Sequence, residues 1–221
     1  GTSGWAYPSI VGCGDNATIL HYTVNDCPCE AGDILLIDAG SEYRGYAADI
    51  TRSWPISGKF TEQQAELYQI VLDAQLAAID QCRVGNPYNA PHEAARESLA
   101  QGLIDLGVIT QTLSEALDPN NGQLKNWYMH NTGHWIGLDV HDVGIYKPDG
   151  KPRLFEEGMV ITVEPGLYFG AWRTDVDCPA RYADIGIRIE DDVLITSGDP
   201  DVLSSDCPKS IADIESIVGT A

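Results

Sequence analysis

Apolar positions along this chain follow two different periods. Residues 34–37 (Ile-Leu-Leu-Ile) form an unbroken apolar run between Gly32-Asp33 and Asp38-Ala39-Gly40. Residues 160–163 (Val-Ile-Thr-Val) form a second, between Gly158-Met159 and Glu164-Pro165-Gly166. Short runs of aliphatic and β-branched residues bounded by glycine predict strands covered on both faces. Strands are also predicted over 17–22 (Ala-Thr-Ile-Leu-His-Tyr) and over 43–54, with its Tyr, Ile, Thr and Trp content. From residue 61 the period becomes helical. Thr61-Glu62-Gln63-Gln64 has the form of a capping box, Leu67, Val71, Ala74 and Ala78 recur on one face, and Gly85 is expected to stop the run. A second helix is predicted to begin around Pro91 after Asn89, with Ala95, Leu99, Leu103 and Leu106 on one face and Gly107 at its end. Residues 112–117 add a short helical turn and 118–122 (Asp-Pro-Asn-Asn-Gly) a loop. A second strand-rich half follows from about 128 to 196, then a last helix opened by Ser210 and closed by Gly219.

This order of strands, helices, strands and helix predicts an α+β domain whose strand-rich halves each need helices over one sheet face. The two apolar runs share a frame: Gly, five residues, an acid, one spacer, Gly. Each is followed by another strand-like segment holding a further acid, Asp49 in the first half and Glu190 in the second. One domain with internal pseudo-symmetry is the simplest reading. A carboxylate closing a buried strand is costly unless something pairs with it, and here it occurs twice.

Composition narrows the partners. Thirty-three acids against 13 bases give a net charge of -20, so nucleic acid and anionic membrane, which need a basic face, are poor partners. The acids are dispersed and read as a solvated surface rather than a binding tail. At 43% hydrophobic residues the chain can build a core. Cys13, Cys27, Cys29, Cys82, Cys178 and Cys207 have no zinc-finger spacing and read as reduced thiols of a cytoplasmic protein. No apolar run is long enough to span a bilayer.

The histidines sharpen the chemistry. His130, His134 and His141 fall within twelve residues. His130 and His134 stand four apart, yet Asn131 occupies the position of the glutamate in an HExxH zinc helix, and Gly133 and Gly137 disfavour a helix. A strand or loop is expected there. His21 belongs to the first half, and His92 reads as a plain surface residue of the second helix. Four carboxylates (Asp38, Asp49, Glu164, Glu190) with one imidazole make a hard, oxygen-rich donor set, unlike a structural zinc site. Two divalent ions would balance their charge of -4, which points to a dinuclear centre and to hydrolysis.

The motifs IDAG (37–40), DITR (49–52), HNTGHWIGLDVHDVG (130–144), TVEPG (162–166) and GIRIEDD (186–192) together resemble the catalytic domain of proline-specific metallopeptidases with the pita-bread fold. Aminopeptidase P is the nearer member and prolidase the second. The resemblance implies a curved, mostly antiparallel sheet covered by helices, with pseudo-two-fold symmetry. It implies Asp38, Asp49, His134, Glu164 and Glu190 as metal ligands, Asp49 and Glu190 bridging two divalent ions, manganese first and zinc or cobalt as alternatives. It implies that Glu164 also carries the proton from a metal-bridging hydroxide to the leaving nitrogen. His21, His130 and His141 would position substrate, and Arg188 would support the acids. The implied substrates are peptides with proline at the second position. By the same resemblance, residues 1–221 are the catalytic domain without the family's N-terminal domain and first helices, and the full-length protein is a homo-oligomer.

Rival readings remain. Prolidase would cut Xaa-Pro dipeptides, and methionine aminopeptidase shares the ligand set but fits residues 130–144 less well. Some pita-bread domains are non-catalytic peptide binders, and creatinase works without metal, but those lineages lack parts of the five-ligand set present here.

Overall fold

The computed structural model describes residues 2–219. Its first half contains β1 (Gly4–Trp5), β2 (Ile10–Cys13), β3 (Ile34–Asp38), β4 (Ser41–Tyr43), β5 (Tyr46–Ala47) and β6 (Thr51–Pro55). The apolar run expected as a buried strand is β3, the centre of a sheet in which it pairs antiparallel with β2 (Ile10↔Asp38) and with β6 (Asp38↔Thr51). The strand expected over 17–22 does not form. A 3-10 turn, Gly14–Thr18, folds back on β2 so tightly that a Cβ at Gly12 would lie 2.6 Å from the Asn16 carbonyl oxygen. Residues 43–54 are not one strand either. Arg44 and Gly45 both take positive φ (53° and 85°), the requirement of a tight hairpin turn, so β4 reverses into β5.

The helices follow as α1 (Glu62–Asp80), α2 (Ala90–Asp105) and α3 (Leu113–Ala116). The Thr61/Gln64 capping box is present, and a second one, Thr112/Glu115, opens α3. Helix α1 ends at Asp80, five residues before the glycine expected to stop it. The second half contains β7 (Val160–Val163), β8 (Gly166–Phe169), β9 (Ile185–Arg188), β10 (Asp191–Leu194) and β11 (Asp201–Val202), then α4 (Ile211–Ile217). Its strands begin only at 160. Residues 128–159 are a long excursion with isolated bridges, because they carry no sustained apolar alternation. Every ladder among the described residues is antiparallel.

Leu67, Val71, Ala74 and Ala78 of α1 and Ala95, Leu99 and Leu103 of α2 are buried against Ile161, Val163, Leu167, Ile187 and Val193 of the strands in one continuous core. That burial holds the helices against the strands, at about 1.5–3 kcal/mol for each large side chain. The halves join where β6 lies beside residues 188–191. The Glu190 amide donates to the Thr51 carbonyl at 3.0 Å, and Arg52 Nη1 donates to the Glu190 carbonyl at 2.6 Å. Among the described residues no helix is long and apolar enough to cross a membrane.

Candidate metal centre

The acids that close the apolar runs meet at this junction. Asp38 ends β3, Asp49 precedes β6 by two residues, Glu164 follows β7, and Glu190 links β9 to β10. Two glycines bring the segments together. A Cβ at Gly40 would sit 1.6 Å from the Ala48 carbonyl oxygen, and one at Gly133 would sit 1.9 Å from that of Thr162. Only glycine permits either approach. At Gly133 the histidine loop therefore lies along β7, with the Thr162 amide donating to the His134 carbonyl (3.0 Å) and the Glu164 amide to the Thr132 carbonyl (2.7 Å).

Donor atoms of Asp49, His134 and Glu190 all lie within 4.8 Å of one another. His134 Nδ1 donates to the Trp135 carbonyl at 3.0 Å, and Nε2 faces Asp49 Oδ2 (3.4 Å) and Glu164 Oε1 (3.5 Å). Burial lowers the ring's pKa, but the Asp49 hydrogen bond and the Glu164 charge outweigh it. With Nδ1 committed to the carbonyl, it is Nε2 that gives up its proton to a metal. The tautomer that results is the one a metal-ligating imidazole needs. Asp38 stands at the other side of Asp49 and accepts from Arg188 Nη2 at 2.6 Å. Tyr7 spans the two aspartates, its hydroxyl 2.5 Å from Asp38 Oδ1 and also on Asp49 Oδ1, so one phenolic proton serves two carboxylates.

The electrostatics ask for a cation. Burial pushes Glu164 up to about 7, against the pull of His134 and Arg188 and helped by repulsion from Asp49 and Asp38. Burial, then Asp49 and Glu164, hold Glu190 well above the ordinary carboxylate range. Asp38 is raised by burial despite Arg188. Divalent ions would relieve both the crowding and the desolvation, and the oxygen-rich donor set suits them.

His21, His130 and His141 line the same cavity, about 740 Å³ in volume, with the four acids, His134 and Arg188. His130 Nδ1 donates to the Asn131 carbonyl (2.7 Å) and its Nε2 accepts from the Tyr168 hydroxyl (2.8 Å), which takes a bond from Arg188 Nη1 at 3.1 Å. Burial, with Arg188 nearby, lowers the His130 pKa to about 3, so the ring is neutral. His134 and His141 rings meet edge to face at 4.4 Å between centroids.

One sequence reading is overturned. His92 is not a plain surface residue: its Nδ1 is 2.8 Å from Thr132 Oγ1 and its ring lines the cavity beside Tyr128. Reading the sequence also missed Tyr7, Thr51, Tyr168 and Asp192. Thr51 Oγ1 donates to Glu190 Oε2 at 2.5 Å, and Asp192 Oδ2 accepts from the Asp49 amide at 3.1 Å. The alternation Asp49, Thr51, Ser53 could have revealed Thr51, since all three face the opposite half. Tyr7, 31 residues from Asp38, had no local signal.

The sequence profile of metallopeptidase family M24 matches residues 1–197. The chain is 46% identical over 213 residues to an Xaa-Pro aminopeptidase of Haemophilus influenzae, covering 96% of this chain and 48% of the relative. It is 43% identical over 216 residues to an Xaa-Pro aminopeptidase of Escherichia coli, covering 98% and 48%. The structure of Pseudomonas aeruginosa aminopeptidase PepP superposes with a TM-score of 0.93 at 43% identity, over 99% of this chain and 48% of that one. A substrate complex of an Escherichia coli aminopeptidase P variant matches at a TM-score of 0.92 and 42% identity, over 99% and 48%. The chain spans about half the length of these relatives. Helices over a curved antiparallel sheet, with this superposition, establish the pita-bread fold, and the chain belongs to metallopeptidase family M24.

Proposed function

We propose that this chain is the catalytic portion of a metal-dependent aminopeptidase that releases the residue before an N-terminal Xaa-Pro bond. The observation that carries the reading is the convergence of Asp49, His134 and Glu190 within 4.8 Å inside a cavity that also holds Asp38 and Glu164. The relatives named Xaa-Pro aminopeptidase support the substrate class. Asp38, Asp49, His134, Glu164 and Glu190 would hold two divalent ions, manganese as the expected metal. Bound there, the ions would acidify water and polarise the scissile carbonyl.

The protein's own groups do the rest. Glu164, which follows β7 and lines the cavity, accepts a proton from the attacking water at a carboxylate oxygen and returns it to the proline nitrogen as the bond breaks. His130, held and neutral between Asn131 and Tyr168 in the cavity lining, is read as the contact for the proline ring. His21 and His141, which line the same cavity, orient the peptide. Arg188 holds Asp38 and Tyr168 in place. The six free cysteines accord with a cytoplasmic setting, and the full-length protein is read as a homo-oligomer.

Elemental analysis combined with peptide hydrolysis tests the reading. Two ions per chain and a higher kcat/KM on Xaa-Pro-Xaa than on Xaa-Pro are expected. Faster dipeptide cleavage would make it a prolidase. Metal-loaded protein that binds peptide and cleaves neither substrate would be a binding module.

A further inference from the structure

A second cavity, of about 310 Å³, adjoins the metal-centre cavity and shares His92, His130 and Asn131 with it as a common wall. Its other lining includes Arg96 and Lys125, two of only 13 basic residues in a chain of net charge -20. Neither head is neutralised within the pocket. Arg96 Nη1 meets Glu93 at 3.1 Å, a carboxylate 56% exposed, while its Nη2 donates to the Leu117 carbonyl, and Lys125 Nζ donates to the Asn120 carbonyl. Carbonyls satisfy hydrogen bonds and cancel no charge. Glu93 beside Arg96 and Asp118 near Lys125 bring the sum to zero, but neither acid lines the pocket, whose charged lining is the two basic heads, and both heads keep unused N–H donors.

The two cavities thus lie side by side across His130, one lined by acids at the metal centre and the other by two basic side chains. An N-terminally bound peptide has the same polarity: a cationic amine that suits the carboxylates and an anionic carboxylate at its far end. We propose that the Arg96–Lys125 pocket is a carboxylate-binding subsite that recognises the chain end of short peptides, or an acidic side chain, downstream of the scissile bond. The proposal rests on the aminopeptidase reading for the direction of the peptide. It adds a preference that the metal centre alone would not produce: short free-acid peptides over their amides. The far carboxylate is reached only when the peptide is long enough to pass His130, so the preference depends on length.

The test uses the metal-loaded protein and Xaa-Pro peptides of three, four and five residues, each as free acid and as C-terminal amide, plus amides with glutamate at each downstream position. Turnover gives kcat and KM, and calorimetric titration gives Kd independently of cleavage. At one length the free acid should show KM and Kd about 5-fold lower than its amide, the scale of a partly exposed ion pair, with kcat unchanged. Arg96→Gln with Lys125→Gln should erase that difference by weakening the acid alone. Lys125→Gln, at an exposed site, should reduce it even if the double variant folds poorly. Arg83→Gln, the same charge change at a remote exposed ion pair, should leave it intact. A preference shown by the glutamate amides instead assigns the pocket to an acidic side chain. Equal affinity for acid and amide at every length, with no gain from glutamate, overturns the proposal. So does discrimination that survives both Lys125→Gln and the double variant. Binding discrimination without any cleavage would sink the aminopeptidase reading and keep the subsite.

Discussion

Arg188 Nη2 donates to Asp38 Oδ2 at 2.6 Å across 150 positions of sequence, joining the two halves at their carboxylates. The same guanidinium reaches Thr51 Oγ1 through Nε (3.2 Å) and the Tyr168 hydroxyl through Nη1 (3.1 Å). One buried planar cation therefore fixes a proposed metal ligand, the threonine that holds Glu190, and the tyrosine that holds His130. An ammonium has the charge but not the fork. Arg188→Lys is expected to fold and to lose about 10–100-fold in metal affinity or turnover, the usual cost of removing support behind a ligand. Manganese titration and kcat measurements that both match the wild type would refute this role.

Tyr7 supplies the one proton shared by Asp38 and Asp49. Burial and both aspartates hold its own pKa far above the ordinary phenol value, so it remains a donor at every working pH. Tyr7→Phe keeps the ring and removes that donor. Metal affinity is expected to fall about 10–100-fold while the fold is retained; unchanged manganese binding by calorimetry would leave the contact without consequence.

Glu164→Gln keeps the size of the side chain and one oxygen donor but cannot accept a proton. Turnover is expected to fall ~10²–10⁴-fold with metal partly retained. A variant with near-normal kcat would remove Glu164 from proton transfer.

Metal binding and pH are linked at this centre. Burial raises Glu164 from 4.5 to about 7 and Asp192 from 3.8 to about 7 in the metal-free fold. An acid with a raised folded pKa binds its proton more tightly folded than unfolded, so metal-free stability falls as pH climbs from about 4 to about 7. Divalent ions held by Glu164 would stabilise its ionised form and reverse its share of that loss. The rise in Tm on adding manganese should therefore be larger at pH 8 than at pH 5. Equal shifts at both pH values would contradict the linkage.

Much of the candidate centre was legible because Asp38 and Glu164 close the apolar runs themselves. The unbroken apolar runs before Asp38 and Glu164 implied burial for both acids, and repetition of the frame pointed to Asp49 and Glu190. The helices were legible from Thr61 and from the spacing of Leu67 and Val71. What escaped depended on contacts distant in sequence. Residues 17–22 alternate like a strand, but the Gly14–Thr18 turn folds them back. His92 sits at a polar position of an amphipathic helix, and its partner Thr132 lies 40 positions away, so nothing local marks it. The ion cluster behind the centre was also hidden, since Arg52 and Asp191 look like surface charges within otherwise alternating strands.

That cluster carries the last prediction. Asp191 is fully buried and accepts from Arg52 (2.7 Å), Lys209 (2.7 Å), Gln75 (2.6 Å) and Ser204 (2.6 Å). Its neighbour in sequence is Glu190, and Arg52 also grips the Glu190 carbonyl, so the cluster clamps the junction from behind. Burial alone would raise the Asp191 pKa, but Arg52 and then Lys209 outweigh it and hold the carboxyl below the usual range. A depressed folded pKa contributes stability that is full above the unfolded value, about 3.9, and is lost as pH falls through the folded value. Asp191→Asn leaves Arg52 buried without its counter-ion, which costs about 3–5 kcal/mol, or a Tm drop on the order of 10 °C for a chain of this size. The exposed pair of Asp199 with Arg83 has the same distance, 2.7 Å, in water, so Asp199→Asn should shift Tm by little. Thermal melts at pH 7 and pH 3 separate the cases. The deficit of Asp191→Asn relative to wild type should shrink at pH 3, because there the wild type begins to lose the same interaction. A deficit that stays constant with pH would mean that the loss is one of packing and not of the ion pair.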